Sequence, residues 1–243
     1  MPSRVAQTRF WDEWNLANRA SELDLHPFQL AQLSVAVSVA RRQADTSQLM
    51  RPLRILDFGC GTGWLGASLR SMGEVTGVDL SEVAIDHGRH LFADVRLLAG
   101  HFSDVELDGG YDLVLSADVL AHVDDQGGYV ERVADLLRPG GVFFLMTQNS
   151  FVWRRSSYLV PQAEGQIRNW PRLGRIRELL AERFQIDRVG SIDPGGDRGV
   201  LRMVNNRVVK GGLHLVGLGP ATRRVLEQLR VGRELTIEAR TRP

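Results

Sequence analysis

The sequence predicts an α/β fold in which seven strands form one mostly parallel sheet with helices on both faces. Three observations carry the prediction. From residue 53 onward, short runs rich in Val, Ile, Leu and Phe alternate with longer helix-patterned segments. The first run, Leu53–Phe58, opens directly into Gly59-Cys60-Gly61-Thr62-Gly63-Trp64-Leu65-Gly66, which reads as strand, tight turn and helix start. The first two runs also carry an acid at or near their ends, Asp57 and Asp79.

Taken in order, residues 7–20 read as an amphipathic helix holding Phe10, Trp11, Trp14 and Leu16. A second helix runs from Pro27, well placed at a helix start, to Arg42. A polar link, 43–52, leads into strand 53–58 and helix 63–71. Strand 74–79 follows, then helix 82–92 with Ser81 as its cap. Strands 95–99 and 111–116, helix 126–137, the sharp turn Leu136-Leu137-Arg138-Pro139-Gly140-Gly141 and strand 142–147 continue the alternation. Beyond it lie a polar, aromatic segment (148–170), helix 172–183 and strand 184–189. A long stretch, 193–232, with a helix near 221–230, precedes the last strand, 234–240. The expectation is a single domain, 1–243, with a helical cap (1–52), a core (53–147) and a C-terminal part (148–243) over the cleft.

Composition narrows the function classes. The 243 residues are 43% hydrophobic, enough for one sizeable core. No run approaches the ~20 apolar residues that span a bilayer, and Met1–Phe10 lacks the apolar centre of a signal peptide. A single cysteine, Cys60, leaves no disulfide framework and suits a reducing, cytoplasmic setting. No His pair has metal-ligand spacing, so no metal is expected. The net charge of +1 hides an asymmetry: residues 1–150 hold 12 Arg and 20 Asp or Glu, while residues 151–243 hold 18 Arg or Lys against 9 acids. A basic C-terminal third, with Arg154, Arg155, Arg168, Arg198 and Arg202 as a rim, suits an anionic substrate, a carrier protein or RNA; mutual neutralisation of the two halves is the alternative.

The glycine-rich turn carries the chemistry. Gly59, Gly61 and Gly63 let the backbone take positive φ and approach a ligand, and the next helix offers free N–H groups, an arrangement suited to an adenosine-type cofactor. Gly61-x-Gly63-x-x-Gly66 also matches the dinucleotide fingerprint. Asp57 argues against that reading, because a carboxylate there crowds a pyrophosphate but suits an α-ammonium group. Asp79 at the end of the second strand suits the two hydroxyls of a ribose. Ser116, Ala117 and Asp118 fall at the C-terminal edge of the sheet, where open α/β folds bind ligands.

The run Asp57-x-Gly59-x-Gly61-x-Gly63 resembles the first motif of class I S-adenosylmethionine-dependent methyltransferases. Gly77-Val78-Asp79-Leu80-Ser81 resembles their second motif, and Ser116 to Val123 their fourth, in the branch with ubiquinone-biosynthesis O-methyltransferases. Leu-Arg-Pro-Gly-Gly before an apolar strand is a further family motif, and the set covers residues 53–147 in order. The resemblance implies a Rossmann-like sheet with an antiparallel last strand beside the fifth. It implies S-adenosylmethionine as cofactor, held by Asp57, Gly59, Gly61, Gly63, Asp79, Leu80, His101, Phe102 and Ser116. At 101 the family commonly carries an acid that accepts from the adenine amino group; here His101 accepts through one ring nitrogen, or Phe102 holds the base. His122 is either a base that takes a proton from a hydroxyl or a structural residue bonded to neighbouring backbone. The expected reaction is O-methylation of a small metabolite or sugar-like compound, with N- or C-methylation, an RNA substrate and a non-catalytic cofactor-binding protein as alternatives. The absence of an RNA-binding pattern argues against RNA. The oligomeric state is not readable.

Overall fold

The computed structural model describes residues 2–18, 25–47, 50–157, 159–204 and 219–242. The elements in chain order are α1 (Arg4–Asn18), α2 (Pro27–Ser47), β1 (Leu53–Phe58), α3 (Trp64–Ala67), β2 (Gly73–Asp79), α4 (Glu82–Leu91), β3 (Arg96–Ala99), β4 (Tyr111–Ala117), a 3₁₀ turn (Leu120–His122), α5 (Gln126–Leu136), β5 (Leu137–Gln148), α6 (Ser150–Trp153), α7 (Leu173–Leu180), β6 (Phe184–Pro194), α8 (Val200–Val204), α9 (Gly219–Gln228) and β7 (Gly232–Thr241).

The strands form one seven-stranded sheet in the order β3-β2-β1-β4-β5-β7-β6. β1 pairs in parallel with β2 and β4, and β4 in parallel with β5. β7 inserts antiparallel between β5 and β6, as the resemblance implies. β1 and β4 are buried on both faces, which is why they read as continuous apolar runs. Period-two alternation sorts their side chains. Ile55, Leu113, Leu115, Phe144 and Met146 pack with Ala36, Val39 and Ala40 of α2 and with Leu65. Leu56, Phe58, Val114, Phe143 and Leu145 pack with Tyr129, Val130 and Val133 of α5 and Ile176 of α7. The Ser81 hydroxyl accepts from the Ala84 N–H at 3.1 Å and so caps α4.

Four elements differ from the sequence reading. α2 runs on to Ser47, through half of the link expected over 43–52, with the Gln43 amide donating to the Asp112 and Gly140 carbonyls at the sheet. The helix expected over 63–71 is one turn, because the chain tightens through Leu69 N–H to Gly66 C=O and Met72 N–H to Leu69 C=O before β2. The turn at 138–141 is a bulge inside β5, since Leu137 pairs with Tyr111 and pairing resumes at Val142 with Leu113. β6 runs on to Pro194, because β7 pairs with it along nearly its whole length, from Phe184↔Thr241 to Pro194↔Gly232.

Candidate active site

At the C-terminal ends of β1, β2 and β4 the sheet opens into a cavity of about 470 Å³, within the range of small-molecule sites. Its floor is the glycine-rich turn, and Trp11, Trp14 and Asn15 of α1 line it as well. The first helix is thus part of the wall, fastened to the core where the Ser81 hydroxyl donates to Asp12 Oδ1 at 2.6 Å.

Gly59, Gly61 and Gly63 take φ of 84°, 57° and 84°. At Gly61 a Cβ would meet nothing within 4 Å, so the space above it is open to a ligand. Its N–H donates to Asp79 Oδ2 at 2.8 Å, and the Ser81 N–H donates to Asp79 Oδ1 at 2.9 Å. Asp79 therefore stands at the cavity with each oxygen held and lone pairs remaining. Burial raises its pKa above the ordinary carboxylate value. Asp57 is 1% exposed and accepts the Gly66 N–H at 2.8 Å. A Cβ at Gly66 would lie 2.9 Å from that oxygen, so only glycine lets α3 sit this close to β1. Burial pushes the Asp57 pKa up to about 7.

Leu80, His101 and Phe102 line the far side of the same cavity. The His101 and Phe102 rings lie 4.2 Å apart between centroids. His101 Nδ1 accepts the Ser103 N–H at 3.3 Å and lies 2.7 Å from Ser103 Oγ. Ser103 thus engages Nδ1 from both its backbone and its side chain, which leaves Nε2 as the ring nitrogen for a ligand. Desolvation, with Arg4 nearby, lowers its pKa and keeps it neutral.

Ser116 is a correction. It is fully buried, its Oγ is 2.9 Å from the Tyr129 hydroxyl, and it is set behind the wall rather than in it. Ala117 and Asp118, one and two residues on, line the cavity instead. Gly63 likewise shapes the turn, packed on Leu97, without lining the cavity.

His122 lines the cavity, and its Nδ1 is 2.7 Å from the Ile167 carbonyl oxygen. A carbonyl only accepts, so Nδ1 carries the proton and Nε2 keeps its lone pair. The Trp11 ring packs edge-on at 4.9 Å, and burial lowers the His122 pKa below its usual value. The backbone bond foreseen as the structural role is thus present, and it fixes the tautomer that a base needs.

Sequence reasoning missed the polar group behind Asp118. Asp118 takes φ 60°, rare outside glycine and strained for most side chains. Its Oδ1 accepts from Gln148 Nε2 at 2.7 Å and its Oδ2 from Gln32 Nε2 at 3.1 Å. Gln32 also donates to the carboxylate of Glu234, which is 2% exposed. Burial raises Asp118 to about 6 and Glu234 well above its ordinary value. These partners come from α2, β5 and β7, up to 202 residues apart, and no local pattern announces them.

The arginines expected as a basic rim lie elsewhere. Arg155 covers the Phe151 ring at 4.2 Å, and Arg168 covers Trp170 at 5.3 Å. Neither these nor Arg154, Arg198 and Arg202 line the cavity. Among the described residues no group of three His, Cys, Asp or Glu is placed to hold a metal ion. No described helix is long and apolar enough to cross a membrane.

A family model described as a methyltransferase domain matches residues 33–186. A ubiquinone biosynthesis O-methyltransferase of Aromatoleum aromaticum is 40% identical over 103 residues, 40% of this chain and 44% of that protein. Its counterpart in Rhodopseudomonas palustris strain TIE-1 is 30% identical over 167 residues, 65% of each chain. The matches thus span about half to two thirds of those relatives. Among solved structures, a magnesium protoporphyrin IX methyltransferase from Synechocystis PCC 6803 with bound SAH superposes with a TM-score of 0.65 at 15% identity, covering 99% of this chain and 100% of that one. An N-methyltransferase from Bradyrhizobium japonicum in complex with S-adenosyl-L-homocysteine gives 0.66 at 12%, covering 98% of each. At such identity these two likenesses speak to the fold.

Proposed function

The chain belongs to the class I S-adenosylmethionine-dependent methyltransferase family, and from that premise we propose that it methylates a hydroxyl of a small molecule. The observation that carries the reading is that the glycine turn, Asp79 and His122 all line one cavity. The residues present suit the cofactor. The open space over Gly61 admits a backbone-hugging ligand, and Asp79 has lone pairs left for ribose hydroxyls. Asp57 and the turn from Gly59 to Thr62 would hold the methionine part, with Gly63 shaping that turn; Leu80, Phe102 and His101 Nε2 would hold the adenine.

S-adenosylmethionine supplies an electrophilic methyl group on a sulfonium whose thioether leaves without a proton. The protein's work is then alignment and exclusion of water, which Trp11, Trp14 and α1 perform as the outer wall. A hydroxyl must lose its proton as it attacks. His122 Nε2 takes it, while the Ile167 carbonyl steadies the imidazolium through Nδ1–H. The curated relatives, named as O-methyltransferases, support a hydroxyl acceptor.

Calorimetric titration with S-adenosylhomocysteine, with NADH as control, tests the cofactor. Binding of the first and not the second is expected, and Asp79→Ala should weaken it by about tenfold or more. The reverse preference would return the turn to the dinucleotide reading. His122→Ala should lower methyl transfer by about a hundredfold or more with S-adenosylhomocysteine affinity nearly intact; full activity would leave His122 structural.

A further inference from the structure

The cavity's charge is opposite to what the arginine-rich sequence suggests. Among the described residues it is lined by Asp57, Asp79, Asp118 and Asp124 and by no arginine or lysine, in a chain with 30 Lys and Arg. Asp57 and Asp79 are bound up with the glycine turn, in the half given above to the cofactor. Asp118 is tied instead to α2 and β5, and no described residue gives it or Glu234 an ion pair within 4.0 Å.

The amide groups at this end serve the carboxylates. Gln32 and Gln148 turn their amide N–H groups toward the carboxylates. That leaves Gln148 Oε1 fully buried and without a partner, an unmet acceptor in a residue that lines the cavity. Trp11 and Trp14 add aromatic surface to the same cavity. A carboxylate, an unmet carbonyl and indole rings together are the surroundings that recognise a cationic ammonium group. A carboxylate or phosphate on the substrate would instead lie among these carboxylates with no cation in the lining; Arg168, whose charge reaches His122, is already engaged by the Val160 and Pro161 carbonyls and by Gln166.

Building on the methyl-transfer reading, we propose that the acceptor substrate is a small hydroxylated amine whose protonated nitrogen docks on Asp118. The nitrogen is an anchor and not the methylated atom, because an ammonium has no lone pair. The hydroxyl is left for His122. Asp118 is thus a specificity residue, held in place by Gln148 through its Oδ1.

The test uses the full chain saturated with S-adenosylhomocysteine at neutral pH. It is titrated calorimetrically with three phenols of one skeleton: tyramine (cationic), para-ethylphenol (neutral) and para-hydroxyphenylacetate (anionic). Tyramine should bind about tenfold more tightly than para-ethylphenol, and the anion more weakly than either. Asp118→Asn, which tolerates the left-handed backbone, should erase the tyramine advantage while S-adenosylhomocysteine affinity holds. Equal binding of the three, preference for the anion, no tyramine binding at millimolar concentration, or an advantage that survives Asp118→Asn overturns the proposal. Should S-adenosylhomocysteine itself not bind, the methyl-transfer reading fails; should it bind without a preference for the amine, only this inference falls.

Discussion

Strand β4 carries an aspartate near its start and is followed by another just past its end, and the protein treats the two in opposite ways. Asp112 is fully buried and surrounded by donors: Arg51 at 2.7 Å, the Arg138 guanidinium and the Arg54 backbone N–H at 2.8 Å. Those donors hold its pKa below the ordinary value despite burial. Asp118, six residues on, has two neutral amides and a second carboxylate nearby, and its pKa rises to about 6. The difference is one of purpose. The N-terminal edge of the sheet is finished within the chain, whereas the C-terminal edge is left short of positive charge, which lowers stability and keeps attraction for a ligand.

Substitutions at the two positions should therefore pull in opposite directions. The largest effect belongs to Asp112→Asn. Removing the charge beneath two guanidinium groups, both partly exposed, should cost about 2–3 kcal/mol, or about 5–10 °C in the midpoint of thermal unfolding. Cofactor affinity should stay unchanged; a loss below a degree would show that the edge is not so finished. Asp118→Asn should do the reverse. At neutral pH it should raise the midpoint by about 2–4 °C, because a poorly solvated charge is removed and Gln148 can turn its unmet Oε1 toward the new amide. A lowered midpoint would mean that Asp118 is held for structure.

The smallest effect, and the sharpest, is in pH. Asp118 keeps its proton more firmly folded than unfolded, so its charge weakens the fold as pH rises from about 4 through about 6. The advantage of Asp118→Asn should thus vanish near pH 4 and be complete above pH 7. Asp112 is shifted the other way: its contribution is full above the ordinary carboxylate value and is lost as pH falls through its lower folded pKa. The cost of Asp112→Asn should therefore shrink only in strong acid. Thermal scans of both variants against the parent should show the Asp118→Asn advantage climbing between about pH 4 and 7 while the Asp112→Asn cost stays level there and shrinks only in stronger acid; parallel curves would dissolve the contrast.

Much of the scaffold was legible because its signals are local. Apolar runs, the spacing from Asp57 to Gly63 and the acid at Asp79 depend on neighbours within a few residues, and the structure brings these groups to one cavity. Ser116 was misjudged for a reason that is also local: strand alternation turns it to Tyr129 while Ala117 lines the cavity. Gln32, Glu234 and the φ of Asp118 were not legible, since a contact 86 or 202 residues distant follows from sheet order and not from pattern. Of the two readings that the arginine excess left open, these contacts fit mutual neutralisation: guanidinium groups meet aromatic rings and outer carboxylates, at Phe151, Trp170 and Glu131 for example.

The tryptophans give the molecule a built-in optical readout. Three of the five, Trp11, Trp14 and Trp64, line the cavity, while Trp153 and Trp170 pair with each other at 5.8 Å. Light absorbed by the first group is emitted from surroundings that change when a molecule enters. The second pair lies outside that lining and serves as an internal reference. Intrinsic fluorescence can then report occupancy without a label, and replacing Trp14 by Phe would tell which indole speaks.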